Sequence, residues 1–352
     1  MMTRSTMIRA VAGLILGLTA PMGSWAAEAP QRVELETADG VELVARYLPG
    51  PLNNKSPTVL IIDGLGDNRR PDTCDAIAAE LHREGCATLC FDFRGHGASK
   101  SVTESFWDFP TNRRFVRGYK SNSASEQISF NDFKTGYLRM LVNDIAVARA
   151  FLERRNDAGE CNSGHLLVVG LREGATIGAM WVASEWNRYR MTGGLNTRLS
   201  GSSEGRDILG CVWVEPELDL DRQKVPLTDW VKRAVNKRTT YVGLIHSTDD
   251  ASLTKVARLW ADTLNKKGGR MFQVTAIDIT KGDSVTDHMS LVSSVAEMIA
   301  QMRKVQDSPP WDNRNFADKR YAWSLPGGGV VPAKDEDERI LKLVPIDRLL
   351  AR

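Results

Sequence analysis

Apolar and polar residues alternate from residue 32 to residue 47 on either side of Asp39-Gly40. That is the pattern of a hairpin whose strands each show one face to a core. Further along, the pattern changes to short, continuous apolar runs: 58–63 (TVLIID), 86–92 (CATLCFD), 165–170 (HLLVVG), 208–214 (ILGCVWV) and 240–246 (TYVGLIH), with a further strand over 272–279. Runs of this length without alternation predict strands buried on both faces. Between them, apolar residues recur at helical spacing over 74–84, 138–154, 175–184, 254–266 and 289–303. Strands alternating with helices predict an α/β fold with a mostly parallel central sheet and helices on both of its faces. The first hairpin adds antiparallel strands at one edge. The chain contains no internal repeat.

Three of the buried runs end in turns rich in glycine. The first is followed by Gly64-Leu65-Gly66, the second by Phe93-Arg94-Gly95-His96-Gly97, and the third by Leu171-Arg172-Glu173-Gly174. In a parallel sheet, ligands bind outside the carboxyl ends of the strands, so these turns are the candidate site. Residues 100–135 leave one such strand end without a clear period and carry Phe106, Trp107, Phe109, Arg113, Arg114, Phe115, Arg117 and Tyr119. Aromatics interleaved with arginines suit a partner surface, and equally a loop whose rings fill a core. The connection over 215–238 is too short for a large cap.

Composition bounds the remaining possibilities. With 46 basic and 44 acidic residues the net charge is +2, which gives no reason to expect a nucleic-acid partner. Arg4 and Arg9 precede an apolar run over 10–20, and Ser24-Trp25-Ala26 places small residues at the positions a signal peptidase reads. The pattern predicts a leader cleaved near Ala26 and an exported or periplasmic protein, because the run is about half of what a spanning helix needs. No membrane span is expected in the remainder. The five cysteines, Cys74, Cys86, Cys90, Cys161 and Cys211, are odd in number and lie mostly within apolar segments, as small buried side chains do. No spacing fits a zinc site, and neither metal nor cofactor is expected. The expected organisation is a leader over 1–26, an α/β domain over 32–303 with an insertion at about 100–135, and a polar extension over 304–352 that wraps the surface or is partly disordered.

Asp92-Phe93-Arg94-Gly95-His96-Gly97-Ala98-Ser99, together with Asp63-Gly64-Leu65-Gly66 and Gly170-Leu171-Arg172-Glu173-Gly174, resembles the α/β-hydrolase superfamily, in particular its serine aminopeptidase-like and esterase-like branch. The resemblance implies that Gly64 and Leu65 belong to the oxyanion loop. Arg172 stands where the nucleophilic serine would, with Glu173 at the next oxyanion donor. Asp249, or alternatively Asp250, falls at the acid position and His288 at the base position, in the chain order this fold uses. His96 and Asp144 are expected to be structural. An arginine is protonated at any relevant pH and offers no nucleophilic lone pair. The implied function is therefore a catalytically degenerate hydrolase-fold protein. In this expectation Arg172 pairs with the retained aspartate, displaces His288, and leaves a positively tuned pocket for a small anionic or acyl ligand, or the protein binds a protein partner through 100–135. The alternatives are an active ester or amide hydrolase with a non-standard nucleophile (Glu173 after a one-residue slip of the turn, Ser247 or Ser290) and a non-catalytic envelope scaffold.

Overall fold

The computed structural model describes residues 29–120, 124–192, 198–235, 240–265, 272–277, 285–305, 309–315, 320–333 and 342–350. The expected leader lies outside the described residues. Eight strands form the central sheet: β1 (Gln31–Glu36), β2 (Glu42–Leu48), β3 (Pro57–Ile62), β4 (Ala87–Phe91), β5 (Asn162–Leu171), β6 (Ile208–Val214), β7 (Tyr241–Ser247) and β8 (Phe272–Ile277). Their order is β1-β2-β4-β3-β5-β6-β7-β8. The β1–β2 hairpin pairs antiparallel to β4, and every pairing from β4 to β8 is parallel. This is the α/β-hydrolase arrangement that the motifs imply.

The apolar runs of β3 to β7 are buried on both sides because helices cover both, whereas β8, at the edge of the sheet, leaves Val274 and Ala276 exposed. Val59 and Ile61 of β3 join one apolar cluster with α1 (Pro71–Arg83), while Leu60 and Ile62 join another with α2 (Val142–Asp157) and α3 (Glu173–Glu185). That is the period-two alternation of a strand set between two layers. Also on the α2 side are α4 (Leu227–Val235) and α5 (Ala251–Leu264), while α6 (Val285–Val305) joins α1 on the opposite face. All five cysteines are buried free thiols. No helix among the described residues is long and apolar enough to cross a membrane.

Arg94 ties the hairpin, the β4 turn and α2 together without any exposed surface of its own. Its Nη1 and Nη2 donate to Asp39 at 2.6 and 3.0 Å, and its Nε donates to Asp144 at 2.8 Å. Burial works against ionisation of both carboxylates, yet they end on opposite sides of their usual range. For Asp39 the charge of Arg94, with donated bonds from Asn112 and Thr37, outweighs burial and lowers the pKa. At Asp144, burial outweighs Arg94 and the pKa rises. One guanidinium cannot fully compensate two buried carboxylates, and only Asp39 has further side-chain donors. The segment over 100–135 packs onto this centre: Asn112 bonds both Asp39 and Tyr137, and Phe106 and Trp107 are buried. Its larger aromatics therefore fill core.

The described residues of the extension over 304–352 are built into the body of the protein. Tyr321–Ser324 pairs antiparallel to Arg188–Thr192, and with Arg198–Ser203 and Val330–Pro332 builds a second, four-stranded sheet. Tyr321, Ala322 and Trp323 are buried. A buried ionic network lies beneath it. Arg188 donates to Glu185 at 2.8 Å and to Glu153 at 3.1 Å, Arg149 donates to Asp207 at 2.9 Å, and Arg314 meets Asp207 at 3.0 Å. Burial raises the pKa of Glu153, but the charges of Arg188 and Arg149 prevail and lower it to about 2.

Two outcomes follow from these buried charges. Arg94→Met leaves two carboxylates uncompensated, so urea unfolding should show a loss of about 3–5 kcal/mol. His165 is buried in β5 with neither ring nitrogen hydrogen-bonded, and burial, then the charge of Arg303, depresses its pKa to about 4. The unfolded chain takes up this proton near pH 6.5, so stability should fall as pH drops from about 6.5 towards 4, by about 2 kcal/mol at pH 5. The same titration on His165→Leu should lack this loss between pH 7 and pH 5.

Candidate functional site

Gly170, at the end of β5, leads through Leu171 into α3 by a turn whose apex is Arg172. Its φ of 52° and ψ of −125° lie outside the regions that L-residues ordinarily adopt. Its N–H donates to Val214 O at 2.9 Å, and its carbonyl accepts Ala175 N–H at 3.0 Å. The turn closes this tightly because of the flanking glycine: a Cβ on Gly174 would stand 2.1 Å from Asp63 O and 2.7 Å from Ile62 O. Glu173 begins α3, so the one-residue slip that would put Glu173 at the apex does not occur.

The guanidinium of Arg172 does not pair with Asp249 or Asp250 as expected. It turns to the end of β6, where Nη1 meets Glu215 at 3.2 Å and Nη2 meets Glu217 at 2.7 Å. Glu217 is held in place by its own backbone, since its carbonyl accepts Thr176 Oγ1–H at 2.7 Å. Burial raises the pKa of Glu217, while the charge of Arg172 opposes that rise and Glu173, Asp219 and Glu215 add to it. The positively tuned pocket inferred from Arg172 alone is therefore not formed. Two carboxylates meet the one guanidinium, with further acids beside them.

Glu173 turns towards the loop after β3. Its carboxylate accepts Leu65 N–H at 3.2 Å and Asn68 Nδ2–H at 2.5 Å. Gly64 N–H is taken by Asp63 Oδ1 at 2.8 Å, and the same oxygen accepts Arg70 N–H at 2.7 Å. The loop donors expected to face a developing oxyanion are thus occupied by carboxylates of the chain itself. His96 is structural, as expected: Nδ1 bonds Arg94 O at 2.9 Å, and Nε2 accepts Gly66 N–H at 3.0 Å. Burial holds its pKa below the ordinary histidine value.

His288 lies in the first turn of α6 rather than ahead of the helix, and its Nδ1 is 3.0 Å from Thr73 Oγ1 on α1. Among the described residues no carboxylate bonds to it. Asp250 caps α5, accepting Ser252 N–H and Leu253 N–H at 2.8 Å each. Asp249 is exposed at the end of β7, and its N–H donates to Ser247 Oγ at 3.3 Å. The fold brings Gly64, Leu65, Arg172 and Glu173 into one cluster and leaves Asp249 and His288 without a bond to it or to each other. Sequence reasoning missed Glu215, Glu217, Asn68 and Thr73. The signal for the first two was two glutamates directly after a buried strand, at the end of the strand beside the one that leads to Arg172. Among the described residues, no group of three or more His, Cys, Asp or Glu is placed to hold a metal.

No family model matches the chain. Two uncharacterised proteins of Mycobacterium tuberculosis are 33% identical to it over 79 residues, which is 22% of this chain and 27% of each relative. Among solved structures, an esterase from Pyrobaculum calidifontis has a TM-score of 0.48 at 14% identity, covering 79% of this chain and 84% of that one. An esterase from Pyrococcus furiosus has a TM-score of 0.47 at 17% identity, covering 78% and 90% of the two chains. A sugar hydrolase from Lactococcus lactis has a TM-score of 0.47 at 11% identity, covering 78% and 99%.

Gly174→Ala places a methyl group against backbone that cannot yield by side-chain rotation. The variant should lose about 1–3 kcal/mol in chemical denaturation.

Proposed function

We propose that the protein is a catalytically degenerate member of the hydrolase-fold class, with Arg172 in place of the nucleophile, and that it acts by binding rather than by turnover. The observation that carries this reading is the pairing of Arg172, at the strained apex of the β5–α3 turn, with Glu215 and Glu217. A guanidinium held by two carboxylates has no lone pair to attack a carbonyl. The Leu65 N–H that would stabilise an oxyanion already carries the Glu173 carboxylate, and a second negative charge arriving there is repelled. The same charges narrow the ligand: an anion gains little from Arg172, so a neutral acyl group in the site or a partner on the segment over 100–135 fits better. The leader-like pattern before Ala26 supports action outside the cytoplasm, in the periplasm or beyond it.

The alternative, an active hydrolase with another nucleophile, has one observation in its favour. Thr73 Oγ1 is within hydrogen-bond distance of His288 Nδ1. Thr73 is only 6% exposed, however, and no carboxylate among the described residues orients the imidazole.

The deciding measurement is hydrolysis of short- and medium-chain chromogenic acyl esters by wild type, Arg172→Ser and His288→Ala. The wild type should be inert and should not react with a fluorophosphonate probe. Arg172→Ser should regain little by itself, because Glu173 still occupies Leu65 N–H, and more when combined with Glu173→Ala. Turnover by the wild type that disappears in His288→Ala would show that the protein is a hydrolase with a nucleophile elsewhere.

A further inference from the structure

The arginines at the core and at the elbow have carboxylate partners: Arg94, Arg149, Arg172 and Arg188 each lie within ion-pair distance of at least two. The short helix Pro110–Phe115 and the turn after it follow a different rule. From residue 109 to residue 125 there are four cationic side chains, Arg113, Arg114, Arg117 and Lys120, and no acidic one. All four are exposed, and Lys134 lies alongside, its Nζ donating to Arg114 O at 3.0 Å. Asp108, 3.4 Å from Arg113, is the carboxylate within ion-pair distance of this group among the described residues, and Arg114 and Arg117 have none.

These cations are nevertheless positioned. The Arg113 guanidinium lies 5.0 Å from the Tyr119 ring centroid, with its Nε donating to Trp107 O. Arg114 lies 5.0 Å from the Phe115 ring, and Arg117 Nη1 donates weakly to Asn131 O at 3.4 Å. Stacked on Phe115, the Arg114 guanidinium keeps its N–H edge free for a forked contact with an oxyanion while losing little additional conformational freedom. The base of the patch is fixed, since Phe106, Trp107 and Val116 are buried. Tyr119, 39% exposed, places an amphipathic ring among the charges.

We propose that this face, formed by Arg113, Arg114, Arg117, Tyr119, Lys120 and Lys134, docks the protein onto a bilayer surface that carries anionic phospholipid headgroups. Phosphate diesters accept the guanidinium fork, each cation near such a surface adds attraction, and a tyrosine flanked by basic residues sits at the headgroup level. A chain whose net charge is only +2 gains no general attraction to a polyanion. Binding would have to come from this concentration of charge. The proposal is independent of whether the elbow is inert.

The test is co-sedimentation of the purified protein with two kinds of vesicle, one purely zwitterionic and one containing a substantial fraction of anionic phospholipid. The expected result is binding to the anionic vesicles alone at about 0.1 M salt, and its loss at about 1 M, where charges are screened beyond about 3 Å. Arg114→Gln with Arg117→Gln should weaken binding by more than about tenfold, given roughly fivefold for each cation removed. Arg206→Gln with Arg258→Gln, elsewhere on the surface, should leave it unchanged. Equal binding to both vesicles, binding unaffected by the paired Arg114 and Arg117 substitutions, or no binding at low salt each overturns the proposal. Retention on a soluble polyanion such as heparin without any vesicle binding also overturns it.

Discussion

A single buried guanidinium holds together the part of this fold on which everything else is mounted. Arg94 leaves the β4 turn and reaches both Asp39 in the hairpin and Asp144 on α2, with no solvent at any of the three. Such a group is costly to bury unless every partner arrives together. The hairpin, the β4 turn, α2 and the long insertion, whose Asn112 bonds Asp39 and Tyr137, are therefore positioned as a unit. The loop that carries Leu65 rests on the same turn through His96 and Gly66.

The two arginines that define this protein differ in the setting of their charge. Arg94 is enclosed and structural. Arg172 is about one-third exposed, on a strained backbone that in a serine hydrolase would present a nucleophile. A strained turn of this kind persists only where its surroundings over-determine it. Here Gly174 against Asp63 supplies the space, and the pairs with Glu215 and Glu217 hold the side chain. A tight strand-to-helix turn thus carries a charge at its apex, and the neighbouring Glu173 accepts from Leu65 N–H and Asn68 Nδ2–H of the loop after β3. The proposed degeneracy rests on this one arrangement of charges.

The second sheet shows how the C-terminal residues become part of the body of the protein. Strand Tyr321–Ser324 closes over Arg149, Arg188, Glu153 and Glu185, groups that need burial and partners at the same moment. Residues 342–350 continue this packing: Val344 N–H donates to Asn143 Oδ1 at 2.7 Å, and Ile346 and Leu349 are buried.

The sequence by itself determined the eight-stranded sheet, because a strand covered on both faces must be apolar throughout and an edge hairpin must alternate. It also marked a tight strand-to-helix turn at Arg172, since only small residues at 170 and 174 let a strand turn so sharply into a helix, and it read His96 and Asp144 as structural. Only the tertiary structure decided which carboxylate meets Arg172. Asp249, Glu215 and Glu217 all follow buried strands, and their spacing along the chain says nothing about which strand end lies beside β5; sheet order does. The rerouting of His288 to Thr73 and the pairing of residues 188–192 with 321–324 were hidden for the same reason. Local periodicity reports how each segment meets a core, whereas contacts across more than a hundred residues depend on where the whole chain closes.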